Sequence, residues 1–486
     1  MPERPRSVPV YRDEVVELRV DDFGDGPDGL CRIDGYVVFV AETLPGELVR
    51  VRISSASRKF GRGELLEVLE PSPDRVRPIC PHFGQCGGCQ LQHLAPAAQV
   101  AAKEARLRRT LAHALRTTPE AIALGPTRAP ADAAGQRTKL ALHFAEQDGE
   151  LVAGYFGRRG RELVAIEVCP VQEQRGLEVA LAARDGLRRT GLRAFDPHTG
   201  RGDVRAVVVR SSETTGAIHA TLVVAHEGVR VGALGPVIDA LRAAGATGAS
   251  LNLNDGPPDR LLGERMRALF GDQHVDDEVH GIRYRTSAGA FFQTSTFGVD
   301  ALVDEVRVAV GDVPAEAHIA DLYCGSGLFA LALSGRAAQV FGIEEDERAV
   351  EDAVQAAESA GIQNVRFRAG RVEGLISNLA RMRDKPHAVI VDPPRTGCDG
   401  RVLARVADRL QPRRLVYVSC DPDSLGRDAA RLRDLGYTFR KAVMVDMFPH
   451  TAHLETVAVF DRTVRRRDPA RERLLARVQA EKPKRD

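Results

Sequence analysis

Two side chains suited to catalysis, Cys420 and Glu455, each lie where a predicted strand meets a turn. Strand-forming residues at 416–419 run directly into Cys420 and Pro422 follows, which predicts a buried strand that ends abruptly at the thiol. Open α/β sheets place their chemistry at this carboxyl edge. Glu455 begins an apolar strand, where an acid is unfavourable unless it faces a pocket that raises its pKa. The pair predicts a thiol nucleophile and a carboxyl general base, although such residues taken singly are more often structural.

A short glycine turn and two carboxylates predict a binding site for a small cofactor. Gly325 and Gly327 lie between a predicted strand and a helix at 328–333, so a ligand can approach the backbone and the helix N-terminus. Glu344 ends the next strand, at the distance along the chain where an acid meets ribose hydroxyls in Rossmann-like units. Asp392 follows the fourth strand and is followed by two prolines. The short turn combined with Asp-Pro-Pro favours S-adenosylmethionine over a dinucleotide.

The elements that would position these residues alternate between strand and helix from residue 318 to residue 460. Such alternation predicts an α/β fold with a mostly parallel, doubly wound sheet. Upstream, the strand-like segments 14–20, 37–40, 48–54 and 63–69 predict a small OB-like β-barrel whose basic residues bind RNA or form an ordinary solvated edge. The segment between about 120 and 285 predicts a mixed α/β domain.

A cysteine motif follows the barrel and predicts a metal site. Cys80, Cys86 and Cys89 have the spacing C-x5-C-x2-C, and Cys169 is the best candidate for a fourth ligand. Two histidines are weaker candidates: His82 and His93. Four thiolates suit either a structural zinc ion or an iron–sulfur cluster, and the spacing does not choose between them.

Composition limits the classes of protein that this chain can be. It has 486 residues, a net charge of +1 and eight cysteines, and it contains no apolar run of about 18 residues that would span a membrane. The N-terminal residues lack the apolar core of a signal peptide. We therefore expect a cytoplasmic protein of several domains with no membrane partner, whose clustered thiols are ligands or nucleophiles rather than disulfides.

A cysteine, a glutamate and a methyl donor together suggest methylation of carbon 5 of uracil. This carbon is a poor nucleophile until a thiolate, here that of Cys420, adds to carbon 6. Carbon 5 can then attack the methyl group of the sulfonium, and Glu455 can remove the carbon 5 proton. The base must leave any helix to reach such a pocket, which predicts a flipped or single-stranded target.

The motifs resemble those of the RNA 5-methyluridine methyltransferase family, of the type with an N-terminal TRAM domain and a cysteine-bound cluster. The similar segments are Ser419-Cys420-Asp421-Pro422, His453-Leu454-Glu455, Asp392-Pro393-Pro394-Arg395, Phe291-Phe292-Gln293 and the glycine turn. The resemblance implies a 4Fe–4S cluster on the four cysteines and a class I S-adenosylmethionine methyltransferase fold. The cofactor contacts that we expect are Gln293, Tyr323, Gly325, Gly327, Glu344 and Asp392. Two departures are Asp421, where asparagine is more frequent, and Ala369-Gly370-Arg371, where many relatives carry an acid near the adenine.

The resemblance also implies a domain organisation and an RNA partner. The expected domains are a TRAM barrel at 1–70, a cluster-bearing central domain at 71–285, a methyltransferase domain at 286–464 and a flexible basic tail at 465–486. The expected substrate is 23S rRNA, with the T-loop uridine of tRNA as the alternative, and no DNA partner is expected. A monomer is favoured. Two other classes fit less well: an amine-directed methyltransferase and a catalytically silent RNA-binding or ribosome-assembly factor.

Overall fold

The computed structural model describes residues 8–158, 160, 162–257, 260–381 and 385–463. These residues divide into two compact units. The first unit comprises the described parts of Met1–Arg106, Phe156–Val164 and Phe448–Ala452, and the second comprises those of Leu107–Tyr155, Ala165–Met447 and His453–Asp486. The predicted basic tail at 465–486 lies outside the described residues.

The first unit contains a closed five-stranded barrel. Its strands, in the order β1-β2-β3-β5-β4, are β1 (Val15–Phe23), β2 (Gly29–Ile33), β3 (Tyr36–Val40), β4 (Leu48–Ala56) and β5 (Phe60–Glu70). Alternate residues such as Val38, Val40 and Val49 fill the interior, as period-two patterning requires. The predicted OB-like barrel is confirmed. Strand β2 was not among the predicted strand segments, because Gly29 resembles a turn signal. Gly29 instead begins this strand, and a Cβ atom on it would lie 2.1 Å from Thr43 Oγ1.

Three basic residues of the barrel, for which phosphate binding and an ordinary solvated edge were the two interpretations, are paired with acids. Arg50 forms ion pairs with Glu17 and Glu67 on the two neighbouring strands. Arg52 pairs with Glu64 on β5, and Arg62 pairs with Asp28, which lies just before β2. These pairs are solvent-exposed and contribute little stability, but they neutralise much of the positive charge on which the RNA-binding hypothesis for this surface depended.

A segment from the far end of the chain, Phe448–Ala452, is also part of the first unit. The backbone N–H groups of Gln90 and Leu91 both donate to the carbonyl of His450, each at 2.9 Å. Gln99, in helix α1 (Pro96–Leu115), accepts the N–H of His450 at 2.8 Å. Lys103 Nζ donates to the carbonyl of Phe448 at 3.0 Å. The loop that follows Cys89 and helix α1 therefore hold the segment that leads to Glu455.

The second unit contains most of a mixed sheet of seven strands in the order β12-β11-β10-β9-β6-β7-β8. Its strands are β6 (Lys139–Gln147), β7 (Glu150–Phe156), β8 (Leu163–Ala165), β9 (Val204–Ser211), β10 (Ile218–Val224), β11 (Gly248–Leu253) and β12 (Arg265–Gly271). The last residue of β7 and the first two of β8 are assigned to the first unit. The associated helices are α2 (Gln174–Leu187) and α3 (Gly235–Ala243). A two-stranded hairpin follows, made of β13 (His274–Val279) and β14 (Ile282–Ser287). The mixed α/β character expected for this segment is confirmed.

The remaining strands form a second seven-stranded sheet in the order β17-β16-β15-β18-β19-β21-β20. They are β15 (His318–Leu322), β16 (Gln339–Glu344), β17 (Val365–Ala369), β18 (Ala388–Val391), β19 (Arg414–Ser419), β20 (Tyr437–Val445) and β21 (Glu455–Arg462). The associated helices are α4 (Thr296–Val310), α5 (Leu328–Ala332), α6 (Glu347–Ser359), α7 (Val372–Ala380), α8 (Gly400–Arg405) and α9 (Pro422–Asp434). Strands β15 to β19 are parallel, and β21 runs antiparallel between β19 and β20.

The predicted doubly wound sheet is confirmed. Strand order reverses beside β15, which places a crevice at the carboxyl ends of β15 and β18. None of the helices that the structure describes has both the length and the apolar composition needed to cross a membrane.

Candidate active site

The pairing of β19 with β21 brings the predicted nucleophile and base to adjacent positions. Ser419 is the register partner of Thr456, so the next residues along the two antiparallel strands, Cys420 and Glu455, lie at the same edge of the sheet. On its other side Glu455 pairs with Val445. Glu455 is 4% exposed, whereas Cys420 is half-buried and open to a ligand. The structure thus brings together two residues that are far apart in the sequence.

The surroundings of these two residues disfavour negative charge. Burial and the nearby Glu455 carboxyl raise the pKa of the Cys420 thiol to about 11, while Arg395 opposes the rise. Burial also holds the pKa of Glu455 well above its ordinary value, with Asp392 acting in the same direction and Arg395 opposing it. The surroundings therefore favour the protonated form of both groups, and a cationic ligand would favour their charged forms.

Three further carboxyl groups lie at the ends of neighbouring parallel strands. Burial and the Glu344 carboxylate raise the pKa of Asp392 to about 7. Burial raises the pKa of Asp321 well above its ordinary value, and both Asp392 and Glu344 add to the effect. Asp321 Oδ2 accepts the N–H of Ala330 at 2.9 Å. Together with Glu455, these acids make the crevice strongly attractive to a positively charged ligand.

The glycine turn has the backbone geometry that requires glycine at both positions. Gly325 and Gly327 have φ angles of 52° and 85°, in the left-handed region that side chains rarely adopt. A Cβ atom on Gly327 would also lie 2.8 Å from the ring of Phe367 on β17. Glu344 Oε2 accepts the N–H of Gly325 at 2.9 Å, so the predicted ribose-binding acid also fixes the turn.

The segment that carries Gln293 is fixed by the other sheet of this unit. Arg210 on β9 donates to the carbonyls of Phe292 and Gln293, at 3.2 and 3.4 Å. Thr138 N–H donates to the carbonyl of Thr294 at 3.0 Å, and Ser295 caps helix α4 by accepting the N–H of Gly298. Sequence reasoning missed Arg210, because nothing in a strand pattern shows which backbone an arginine will reach.

A buried network, also missed by sequence reasoning, joins the loop that follows the Asp-Pro-Pro turn to strand β19. Asp428 on α9 is fully buried and accepts hydrogen bonds of 2.7 Å from the Tyr417 hydroxyl and the Cys398 N–H. The thiol of Cys398 lies 3.8 Å from the hydroxyl of Tyr323, a predicted cofactor contact whose φ is 66°. The sequence offered only two signals of this network: a Tyr two residues before the end of a strand, and an Asp inside the next helix.

The four cysteines of the predicted cluster are half-buried and form no disulfide. The first unit holds Cys80, Cys86 and Cys89, and the second holds Cys169. The N–H of Gly88 points at Cys86 Sγ, 3.3 Å away, as backbone donors do toward thiolates. Among the residues described, no three His, Cys, Asp or Glu side chains are arranged as a ready metal site. The donor chemistry suits a cluster, and the predicted ligand set stays a prediction.

Comparison with known proteins gives the family. The tRNA (uracil-5-)-methyltransferase family model matches residues 267–463, and the TRAM domain model matches residues 9–66. An RNA methyltransferase from Clostridium acetobutylicum is 31% identical over 457 residues, which cover 94% of this chain and 99% of that protein. The chain belongs to the RNA uracil-5-methyltransferase family. It is an enzyme that depends on S-adenosylmethionine, as the resemblance implied.

Two further proteins are similar to this uracil-5-methyltransferase, one in sequence and one in fold. An RNA methyltransferase from Thermosynechococcus vestitus is 34% identical over 448 residues, covering 91% of this chain and 97% of that protein. The crystal structure of Pyrococcus abyssi tRNA (uracil-54, C5)-methyltransferase with S-adenosyl-L-homocysteine has a TM-score of 0.72 and 24% identity. The match covers 91% of this chain and 99% of the Pyrococcus abyssi chain, so the two proteins share the fold along nearly their whole length.

Proposed function

We propose that this enzyme methylates carbon 5 of a uridine in RNA through a covalent adduct between Cys420 and carbon 6, with Glu455 removing the carbon 5 proton. The observation that carries the proposal is the register of β19 and β21, which places the thiol and the carboxyl at one edge of the sheet beside Asp392. A nucleophile and a base in one half-enclosed crevice are what this chemistry requires.

The reaction proceeds in steps that the side chains can support. The thiol first loses its proton to solvent, a change that Arg395 and a positively charged sulfonium would both favour. The same two charges would favour the ionised form of Glu455, so that its carboxylate can later accept a proton. The thiolate adds to carbon 6, and the electron pair displaced toward carbon 5 attacks the methyl group, which leaves a neutral thioether. Glu455 then takes the carbon 5 proton. The electrons of that C–H bond restore the double bond and expel the Cys420 thiolate.

The crevice suits the cofactor by its charge and its backbone. S-adenosylmethionine brings a sulfonium and an ammonium group to a site lined by Asp321, Glu344, Asp392 and Glu455. We assign the glycine turn and Glu344 to the nucleoside end of the cofactor. Asp392, Gln293 and Tyr323 are assigned to the part nearer the transferred methyl group. The preformed turn reduces the entropy lost on binding.

We assign a 4Fe–4S cluster to Cys80, Cys86, Cys89 and Cys169, with structural zinc as the alternative. A cluster bound there would supply a rigid cross-link among these thiols, and the methylation steps need no electron from it. We also propose that the enzyme works in the reducing cytoplasm, where clustered cysteines serve as ligands or nucleophiles rather than as disulfides.

For the RNA target we favour 23S rRNA, because a TRAM barrel and a cysteine cluster occur together in this chain. The second candidate is the T-loop uridine of tRNA, which is supported by the similarity in fold to the tRNA-modifying enzyme of Pyrococcus abyssi.

Both the mechanism and the target are tested by trapping the adduct. The anaerobically purified enzyme is incubated with S-adenosylmethionine and 5-fluorouridine-substituted transcripts of 23S rRNA fragments or tRNA. Because fluorine cannot leave as a proton, we expect a covalent complex that survives a denaturing gel and disappears in Cys420→Ala. The transcript that gives the band identifies the target. A band that persists in Cys420→Ala, or no band although both RNA and cofactor bind, would contradict the mechanism.

A further inference from the structure

A recess on the β6–β12 sheet is lined by basic and hydroxyl side chains. Lys139 on β6 and His219 on β10 are both register partners of Arg210 on β9, so the three side chains form a row on one face of the sheet. The recess, called here the Lys139–Arg210 recess, is closed on other sides by Thr286 and by residues 287–290. Among the described residues that line it, none is Asp or Glu.

The charges in this recess are poorly compensated. Arg210 is 7% exposed, and burial lowers its pKa to about 10, with Asp277 partly opposing the change. Burial and the neighbouring Arg210 lower the pKa of Lys139 to about 8. No described carboxylate forms an ion pair with Lys139. Two cations placed side by side in a half-enclosed recess are unfavourable unless an anion joins them.

A second observation points to a ligand in the same place. Thr286 is 1% exposed, and its hydroxyl lines the recess without a hydrogen-bond partner among the described residues. A buried hydroxyl left unpaired is unfavourable, so such groups are uncommon unless something else satisfies them. A hydroxyl donor beside two cationic donors is a set of groups that suits a phosphate oxygen.

We propose that Lys139, Arg210 and Thr286 form a subsite for a phosphodiester group of the RNA, next to the nucleotide that is methylated. The subsite deepens the proposed function and rests on it, because it assigns one part of the substrate to one part of the enzyme. The link to the active site is Arg210, which also donates to the carbonyls of Phe292 and Gln293. A phosphate bound in the recess therefore contacts the side chain that fixes the cofactor-side segment.

The position of the recess favours RNA over the carboxylate of the cofactor. Every residue that lines it lies between Lys139 and Ala290, and none comes from the glycine turn or from the strand ends that carry Glu344, Asp392 and Cys420. A cofactor molecule has a single carboxylate, whereas RNA presents a phosphate at every nucleotide, including those on both sides of a flipped base.

The test measures RNA binding by Lys139→Gln and Thr286→Val as a function of salt. Unmodified transcripts of a 23S rRNA fragment and of a tRNA are titrated with each variant at KCl concentrations from about 50 to about 300 mM. Over about this range, the loss of affinity with rising salt reports the number of phosphate contacts. For the transcript that binds better, we expect Lys139→Gln to weaken binding about tenfold. The slope of log Kd against log salt should fall by about 0.7, the loss of one contact with single-stranded RNA. Thr286→Val should weaken binding with little change in slope.

The matched control is Arg283→Gln, because Arg283 is an exposed cation on the same strand as Thr286 and lies outside the recess. It should leave the affinity within about twofold and the slope unchanged. An unchanged slope for Lys139→Gln would overturn the subsite even if the Cys420 adduct forms. Loss of affinity for S-adenosylmethionine instead of RNA would assign the recess to the cofactor. Failure of the wild type to bind either transcript would overturn both the subsite and the proposed function.

Discussion

Glu455 combines its proposed task as a general base with a cost to the fold, and both follow from its burial at the start of β21. A general base for the carbon 5 proton must be shielded from water and must hold a proton weakly enough to exchange it. The same shielding raises the pKa of its carboxyl well above the ordinary value. In the folded state the group therefore binds a proton that the unfolded chain releases, and stability falls as the pH rises through the intervening range.

Glu455→Gln should consequently abolish turnover while stabilising the free protein. The amide has nearly the same shape and carries no charge, so we expect the free energy of unfolding to rise by about 1–3 kcal/mol at pH 8.5. The gain should be small near pH 5, where the wild-type carboxyl is already protonated. Urea unfolding at the two pH values measures the difference. With uridine-containing RNA and cofactor, the variant should accumulate a methylated adduct on Cys420.

Glu455→Asp serves as the control, because it keeps the charge and shortens the side chain. Equal stability of Glu455→Gln and wild type at pH 8.5 would mean that the buried carboxylate is fully compensated in the fold.

Among the secondary-structure elements, the glycine turn between β15 and α5 is the most constrained. Its left-handed φ angles disfavour a side chain at Gly325 and at Gly327, and a Cβ atom on Gly327 would also meet the Phe367 ring. The hydrogen bond from Gly325 N–H to Glu344 ties it to the next strand. The turn is therefore formed before the cofactor arrives.

Gly327→Ala should deform the turn and weaken cofactor binding. A left-handed alanine costs about 1–2 kcal/mol, and its methyl group would displace the Phe367 ring. We expect affinity for S-adenosylmethionine, measured by calorimetry, to fall at least about tenfold. Gly335→Ala is the control, since a Cβ atom there meets nothing within 4 Å. Unchanged affinity in Gly327→Ala would show that the cofactor does not depend on this turn.

At the scale of the elements, the sequence predicted most of what local patterning can determine. The parallel strands β15 to β19 were expected because apolar runs alternate with helices, and Cys420 was expected at a carboxyl edge for the same reason. Strand β2 was not expected, because glycines inside a strand look the same as glycines in a turn. The interactions of Asp428 with Cys398 and of Arg210 with Phe292 join residues distant in sequence, so no local pattern could indicate them.

For the whole molecule, the cysteine assignment predicts a measurable metal content. Anaerobically purified protein should contain about four iron and four sulfide ions per chain, with visible absorbance that Cys169→Ser removes. Cys31→Ala, which changes a thiol inside the barrel, should retain the iron. About one zinc ion per chain would support the alternative, and metal-free protein would contradict the assignment.

The segment Phe448–Ala452 has a consequence for how this enzyme can be divided. It belongs to the first unit, where Gln90, Leu91, Gln99 and Lys103 hold it, although strand β21, which carries the proposed general base, begins only three residues after it ends. A fragment trimmed to the methyltransferase sequence would keep Cys420 and Glu455 but lose every one of those partners. Any shortened form of the enzyme must therefore keep residues 90–103, or replace their contacts with these five residues.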